Sequence, residues 1–254
     1  MFKFLTAMRK FLIIIVAIFF MSSITNAQLW KLWRYEVTGG IGTTQFFGDI
    51  GGFSRDENIL GLKDISFRQT RFNISTAMRY RILEDVSVRL NFAFGYFHST
   101  DVRGSNITRG FESRSLFFEH ALLGEYYFIK NKGENSYTVL RRKTGNQLSF
   151  FSMLDVYAFT GIGGISYKVK PNETLAPNMT KSTGFSAILP VGVGASLMYS
   201  GNIKLGIELS GTYAFSDMID GYTSPYSRSN DIFYLLTFNF IYRINTSPNG
   251  LPSF

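Results

Sequence analysis

Two neighbouring stretches of the chain alternate apolar and polar residues over a dozen positions each, and this period of two limits the fold more than any other feature. In the first, Phe72, Ile74, Thr76, Met78, Tyr80 and Ile82 interleave with Arg71, Asn73, Ser75, Arg79 and Arg81. In the second, Val86, Val88, Leu90, Phe92, Phe94 and Tyr96 interleave with Ser87, Arg89, Asn91, Ala93 and Gly95. Such alternation specifies a strand with one apolar and one polar face. Charged residues recur on the polar face at mid-strand. A barrel with lipid outside and a polar interior accommodates both faces at once.

The rest of the chain extends the pattern. Strands are expected over about Trp33 to Phe47, to either side of the Leu83-Glu84-Asp85 turn, and over Leu116 to Ile129. Four more follow at Val156 to Lys168, Phe185 to Tyr199, Ile203 to Tyr213 and Ile232 to Tyr242. Pro190 marks an expected bulge or bend, because proline removes a ladder donor. About eight strands of this length suit a membrane crossing, which takes roughly 9–11 residues per strand. The expected fold is therefore all-β, a transmembrane antiparallel up-and-down β-barrel. Long connections begin at residues 48, 99, 169 and 216, and short ones lie at 83–85 and 200–202. This sorts the long loops to the outside and the short turns to the periplasm.

Composition supports this fold class. Aromatics make up 17% of the 254 residues, with 26 Phe and 14 Tyr, as expected where rings anchor a barrel at both interfaces. Charged residues reach only 17%, below the roughly 25% of soluble domains. The absence of cysteine excludes disulfides, thiolate metal sites and a cysteine nucleophile. Residues 1–27 read as a removable export signal: Lys3, Arg9 and Lys10 precede an apolar run from Phe11 to Met21, and Thr25-Asn26-Ala27 offers a cleavage site. The domain organisation is then signal peptide 1–27 and barrel 28–254. Removing the three signal-peptide cations lowers the net charge from +8 to +5. That excess suits an anionic lipid surface or acidic partner, and nucleic acid is not an expected partner of an exported chain.

The polar faces place Glu36, Arg71, Arg79, Arg81, Arg89, Glu119, Glu125, Lys204 and Glu208 in the lumen. An eight-stranded barrel is narrow enough to be filled by side chains, and buried charges there must pair. The expectation is an ion-pair plug, with a gated solute path as the alternative. Of the two histidines, His98 stands beside Ser99 and Asp101 at a strand end, and a rim-located lipid-modifying enzyme is the second alternative. Neighbours on a strand face opposite ways, so no catalytic residues are assigned. His120 reads as a lipid-rim or packing residue, and no metal or cofactor is expected. The glycine runs at Gly39 to Gly42 and Gly161 to Gly164 fit neither phosphate-binding spacing. They read as places where strands bend or large interior side chains fit opposite.

One connection breaks the pattern. Residues 130–153 fall on the periplasmic side, where turns are normally short. They carry Lys130, Lys132, Arg141, Arg142 and Lys143, with Phe150 and Phe151. Basic and aromatic side chains are types that dominate interfaces. The segment is a candidate docking element, with a flexible insertion or strand extension as the plainer alternatives.

Several stretches together resemble a known family. They are Tyr35-Glu36-Val37-Thr38-Gly39-Gly40-Ile41-Gly42, Phe47-Gly48-Asp49-Ile50-Gly51, Ala77-Met78-Arg79-Tyr80-Arg81 and Phe159-Thr160-Gly161-Ile162-Gly163-Gly164. Leu189-Pro190-Val191-Gly192-Val193-Gly194, Asp217-Met218-Ile219-Asp220-Gly221-Tyr222 and Asn230-Asp231 complete the set. The chain resembles PorG-type outer-membrane barrels of the Bacteroidota type IX secretion system. The resemblance implies an outer-membrane accessory of the translocon, partnered by PorK/PorN-like periplasmic ring proteins, with no enzymatic activity.

Overall fold

The computed structural model describes residues 29–51, 66–102, 106–130, 153–224, 230–247 and 249–253. The signal segment 1–27 lies outside the described residues, as do Lys132, Arg141, Arg142, Lys143, Phe150 and Phe151.

Eight antiparallel strands follow one another around a closed barrel: β1 (Tyr35–Phe47), β2 (Arg71–Arg81), β3 (Val86–Thr100), β4 (Glu112–Ile129), β5 (Leu154–Pro171), β6 (Thr183–Ser200), β7 (Ile203–Ala214) and β8 (Ile232–Thr246). Closure is made by β1 against β8, in register from Tyr35↔Ile244 to Phe47↔Ile232. Closing the sheet removes the unpaired edges that an open sheet would leave. A short β9 (Pro252–Ser253) folds the tail back onto the end of β8.

The strands divide their side chains as the alternation requires. Outward positions are apolar and exposed, among them Ile41, Met78, Leu122, Ile162, Val191 and Leu205. Aromatics collect toward the strand ends, with Tyr126, Phe128, Tyr199 and Tyr242 near one end and Phe72, Tyr96, Phe185 and Phe215 near the other. A continuous apolar outer wall with rings toward both rims is the surface a membrane-spanning barrel presents to lipid. The termini and the turns at 82–85 and 201–202 share one end, hereafter the turn end; the long loops share the other.

Two local expectations are corrected. Pro190 makes no bulge: the β5–β6 register is the same at Thr160↔Val191 and Gly163↔Ile188, and the ladder is only interrupted between them. Proline removes one donor there without adding a residue. The register shifts occur at Met198/Ser200 and Tyr127/Ile129, next to turn-end connections. Strands β4, β5 and β6 each run 18 residues, longer than the alternation suggested and longer than a bilayer crossing needs, with residues 112–115, 169–171 and 183–184 added at the long-loop end.

Candidate functional site: the filled lumen and its cap

The interior is layered. At the turn end, Arg79 donates to Glu36 (2.6 Å) and also pairs with Glu125. Arg89 bonds Glu125 (3.0 Å) and Glu208, while Lys204 joins Glu36 and Asp155 at 3.0 Å each. Arg81 lies 4.0 Å from Glu36. All of these groups are buried. Each guanidinium also lies over a ring: Arg79 on Tyr157, Arg81 on Tyr127 and Arg89 on Phe159. Cation–π contact of this kind is favourable when water is excluded. Arg243 closes the layer against Trp33, 4.2 Å from the ring centroid.

The lumen residues read from the alternation do not all meet. Glu36, Arg79, Arg81, Arg89, Glu125, Lys204 and Glu208 come together in this network. Arg71 does not. It sits at the long-loop end of β2, where its Nη1 donates to the carbonyls of Arg68 (2.8 Å) and Thr70 (2.7 Å). The interior near that end is taken by phenylalanines, so the guanidinium turns to the rim. Glu119 is buried but stands apart from the ion pairs, and its Oε2 has no hydrogen-bond partner among the described residues. It lines a cavity of about 30 Å³ with Thr38, Asn91, Ser210 and Asn239. That space is polar and large enough for water, but far below the roughly 300 Å³ of a small-molecule pocket.

Asp155 belongs to the network, and Arg243 stands beside it as the register partner of Glu36; both escaped the sequence reading. Asp155 precedes the stretch Val156 to Lys168, and Arg243 follows Ile232 to Tyr242. Extending either strand by its own period of two finds them.

Above the ion pairs the lumen becomes apolar. Phe97 and Phe117 stack at 4.1 Å, and Phe46, Phe233, Ile165 and Ile188 pack around them. Ile219 enters this cluster from the loop between β7 and β8. Its carbonyl accepts from Ser115 Oγ (2.5 Å) and its N–H donates to Asp231 (2.8 Å).

The long loops knit into a cap. Ile50, Phe111, Leu175 and Tyr222 pack together, with Arg109 between the Phe111 and Tyr222 rings and bonded to Asp101 (2.7 Å). Asp101 also accepts from Gly51 N (2.8 Å) and Phe111 N (3.2 Å). Beneath them Asp220 accepts from Ile50 N (3.1 Å). A Cβ added to Gly48 would fall 2.7 Å from oxygens of both Asp220 and Asp231, so the two buried carboxyls converge there. Burial pushes Asp220 up to about 7. Burial, then the neighbouring Asp220, hold Asp231 well above the usual carboxylate range. Among the described residues no group of three or more His, Cys, Asp or Glu side chains is arranged to hold a metal ion.

The histidines face outward. His98 Nε2 meets Glu112 Oε1 at 2.9 Å and Nδ1 meets the Arg68 carbonyl at 3.2 Å. Both ring nitrogens are thus occupied by oxygen acceptors, and neither is directed at a hydroxyl. The pair fastens the turn at 66–69 to the barrel wall. His120 stacks on Phe185 with centroids 6.0 Å apart and lies beside Phe118. Lys130 is tied to Asp85 and Glu84 across the turn end.

No family model and no curated protein matches the chain. Among solved structures, it is similar to Neisserial surface protein A, at 13% identity over 82% of this chain and 96% of that one, with a TM-score of 0.42. It is likewise similar to Ail, the attachment invasion locus protein of Yersinia pestis, at 12% identity over 83% and 98%, TM-score 0.41. A major outer membrane protein of Thermus thermophilus aligns at 13% identity over 83% and 98%, TM-score 0.43. The chain folds as an eight-stranded antiparallel barrel of the outer-membrane type.

Proposed function

We propose that the chain is a closed, non-conducting and non-enzymatic barrel of the outer membrane that anchors a protein-secretion assembly. The observation that carries this reading is the filled lumen. Among the described residues, the ion-paired layer, the apolar layer and the loop cap follow one another, and a water-sized cavity lies between the first two. A barrel without a solute path has its surfaces left to work with, and docking is the work such surfaces can do. The secretion role itself follows from the resemblance to PorG-type barrels, with PorK/PorN-like ring proteins as the periplasmic partners. Short turns then face the periplasm and the long-loop cap faces outside.

Two measurements test the proposal. In planar bilayers the purified barrel should give no stable current; a selective, steady conductance would favour the channel alternative. Pull-down from solubilised membranes should recover periplasmic ring components. Replacing residues 130–153 with an Asn-Gly turn should leave barrel assembly intact and release those partners. Normal co-purification of the shortened barrel would move the docking surface elsewhere. A His98→Ala strain that keeps secretion but loses a lipid modification would favour the enzyme alternative.

A further inference from the structure

The outer wall changes character abruptly at the long-loop end of β3 to β5. Register pairs place outward-facing residues in rows around the barrel. Phe94, Phe118 and Ser166 form one row, with Phe185 beyond them on β6. The next row up is Tyr96, Leu116 and Lys168, and the one above it is His98, Arg114 and Lys170. Adjacent same-face rows lie roughly 7 Å apart along a strand. Within two rows the wall therefore passes from exposed rings to exposed cations. Arg114, Lys168 and Lys170 all face outward and are exposed. Arg71 stands close enough to Arg114 for their charges to repel. Among the described residues, the carboxylate within this patch is Glu112, which is already engaged by His98 and lies 3.6 Å from Arg114.

Like charges side by side on neighbouring strands are unfavourable unless something anionic lies over them. Their height identifies it. They stand on the parts of β4 and β5 that project just past the lipid-facing rings, where the headgroups of the outer leaflet begin. A soluble polyanion would approach the loop cap from above, whereas this cluster lies on the side of the wall. We propose that Arg114, Lys168 and Lys170, edged by Arg71, bind the phosphate of an outer-leaflet lipid headgroup. The proposal rests on the outer-membrane reading given above. It fixes the barrel's rotation and depth against phosphorylated lipid on the β3–β5 side, leaving the rest of the wall free for protein contacts.

The test uses the folded barrel in detergent micelles, with native mass spectrometry reading bound lipid. A diphosphorylated, acylated glucosamine disaccharide is titrated beside its dephosphorylated counterpart and inorganic pyrophosphate. Each cation near an anionic surface strengthens binding roughly fivefold. The triple variant Arg114→Gln/Lys168→Gln/Lys170→Gln should therefore bind the phosphorylated lipid about 100-fold more weakly. The dephosphorylated lipid should bind both proteins alike, and Lys31→Gln at the opposite end should bind like the parent. Heat-modifiable migration reports separately that each variant forms the barrel, and flotation with liposomes reports that it inserts into lipid. Failure of the parent to insert overturns the membrane reading and this proposal with it. Unchanged affinity for the phosphorylated lipid in an inserted triple variant overturns this proposal alone. Pyrophosphate bound as tightly as the lipid would overturn it too, by showing a site for a soluble anion.

Discussion

Tyr157 lies against Gly194, its register partner across β5 and β6, at a place where a Cβ would come within 2.5 Å of the ring. The ring stays in the lumen because the neighbouring strand has no side chain there, and its hydroxyl donates to Glu208. Phe159 uses Gly192 and Tyr167 uses Gly184 in the same way. These pairs explain why β6 is rich in glycine: a narrow barrel gains room for large interior rings by deleting the side chains opposite them. The β5 glycines answer to a different neighbour, since a Cβ at Gly161 or Gly163 would run into the β4 carbonyls of Leu122 and His120 respectively.

Gly194→Val should therefore displace Tyr157 and cost about 1–3 kcal/mol of overpacking strain. Tyr157→Phe keeps the ring and removes only the hydroxyl, leaving Glu208 one donor short at a cost of roughly 1–3 kcal/mol. Urea unfolding from liposomes reads both. Stability equal to the parent in both variants would contradict the ring–glycine packing.

Arg79 and Arg71 provide a matched contrast on one strand. Arg79 is buried between Glu36 and Glu125, and removing one partner of a buried network typically costs about 3–5 kcal/mol. Arg71 stands at the rim on backbone carbonyls, where an exposed charge is worth about 0–1 kcal/mol. Arg79→Ala should lower folding yield in lipid vesicles far more than Arg71→Ala. Similar yields would mean that the charged layer does not hold the barrel together.

The alternation alone separates these two faces for most of the chain, since Phe92, Leu205 and Phe238 point outward while Arg89, Glu208 and Asn239 point inward. It does not separate Arg71 from Arg79, because both occupy inward positions of β2 and differ only in what fills the lumen at their height. Nor does it reveal the apolar layer. The period of two puts Phe46, Phe97, Phe117 and Phe233 on inward positions, but only strand register shows that they meet at one height as a single cluster. The loop cap was equally hidden. Its contacts join Ile50, Phe111, Leu175 and Tyr222 from four separate connections, and no local periodicity records such meetings.

Neighbouring positions on β7 test the faces directly. Leu205 is exposed on the outer wall, where arginine near the bilayer midplane costs about 2–4 kcal/mol. Gly206 faces inward, and a Cβ there meets nothing closer than 3.3 Å. Leu205→Arg should impair insertion into liposomes while Gly206→Ser folds nearly as well as the parent. Indistinguishable yields would reverse the assignment.

The Asp220–Asp231 pair makes the cap sensitive to pH, and the direction follows from which state holds the proton. Both carboxyls titrate higher in the folded cap than the usual value near 4, Asp220 at about 7 and Asp231 also raised. The folded state therefore binds more protons than the opened state across this range, and stability falls as pH rises. The stabilisation is complete below about pH 4 and the part due to Asp220 is lost progressively as pH climbs through about 7, on the order of 4 kcal/mol for that group. Asp231→Asn keeps the shape and removes one of the two charges, so it should protect the cap at neutral pH and flatten the dependence. Hydrogen exchange at the Ile50 and Ile219 amides, which donate to Asp220 and Asp231 respectively, reads cap opening locally. After correction for intrinsic exchange rates, protection in the parent should decline from pH 5 to pH 8 and should decline less in Asp231→Asn. Parallel curves for the two proteins would show that these carboxyls do not share the cost of burial.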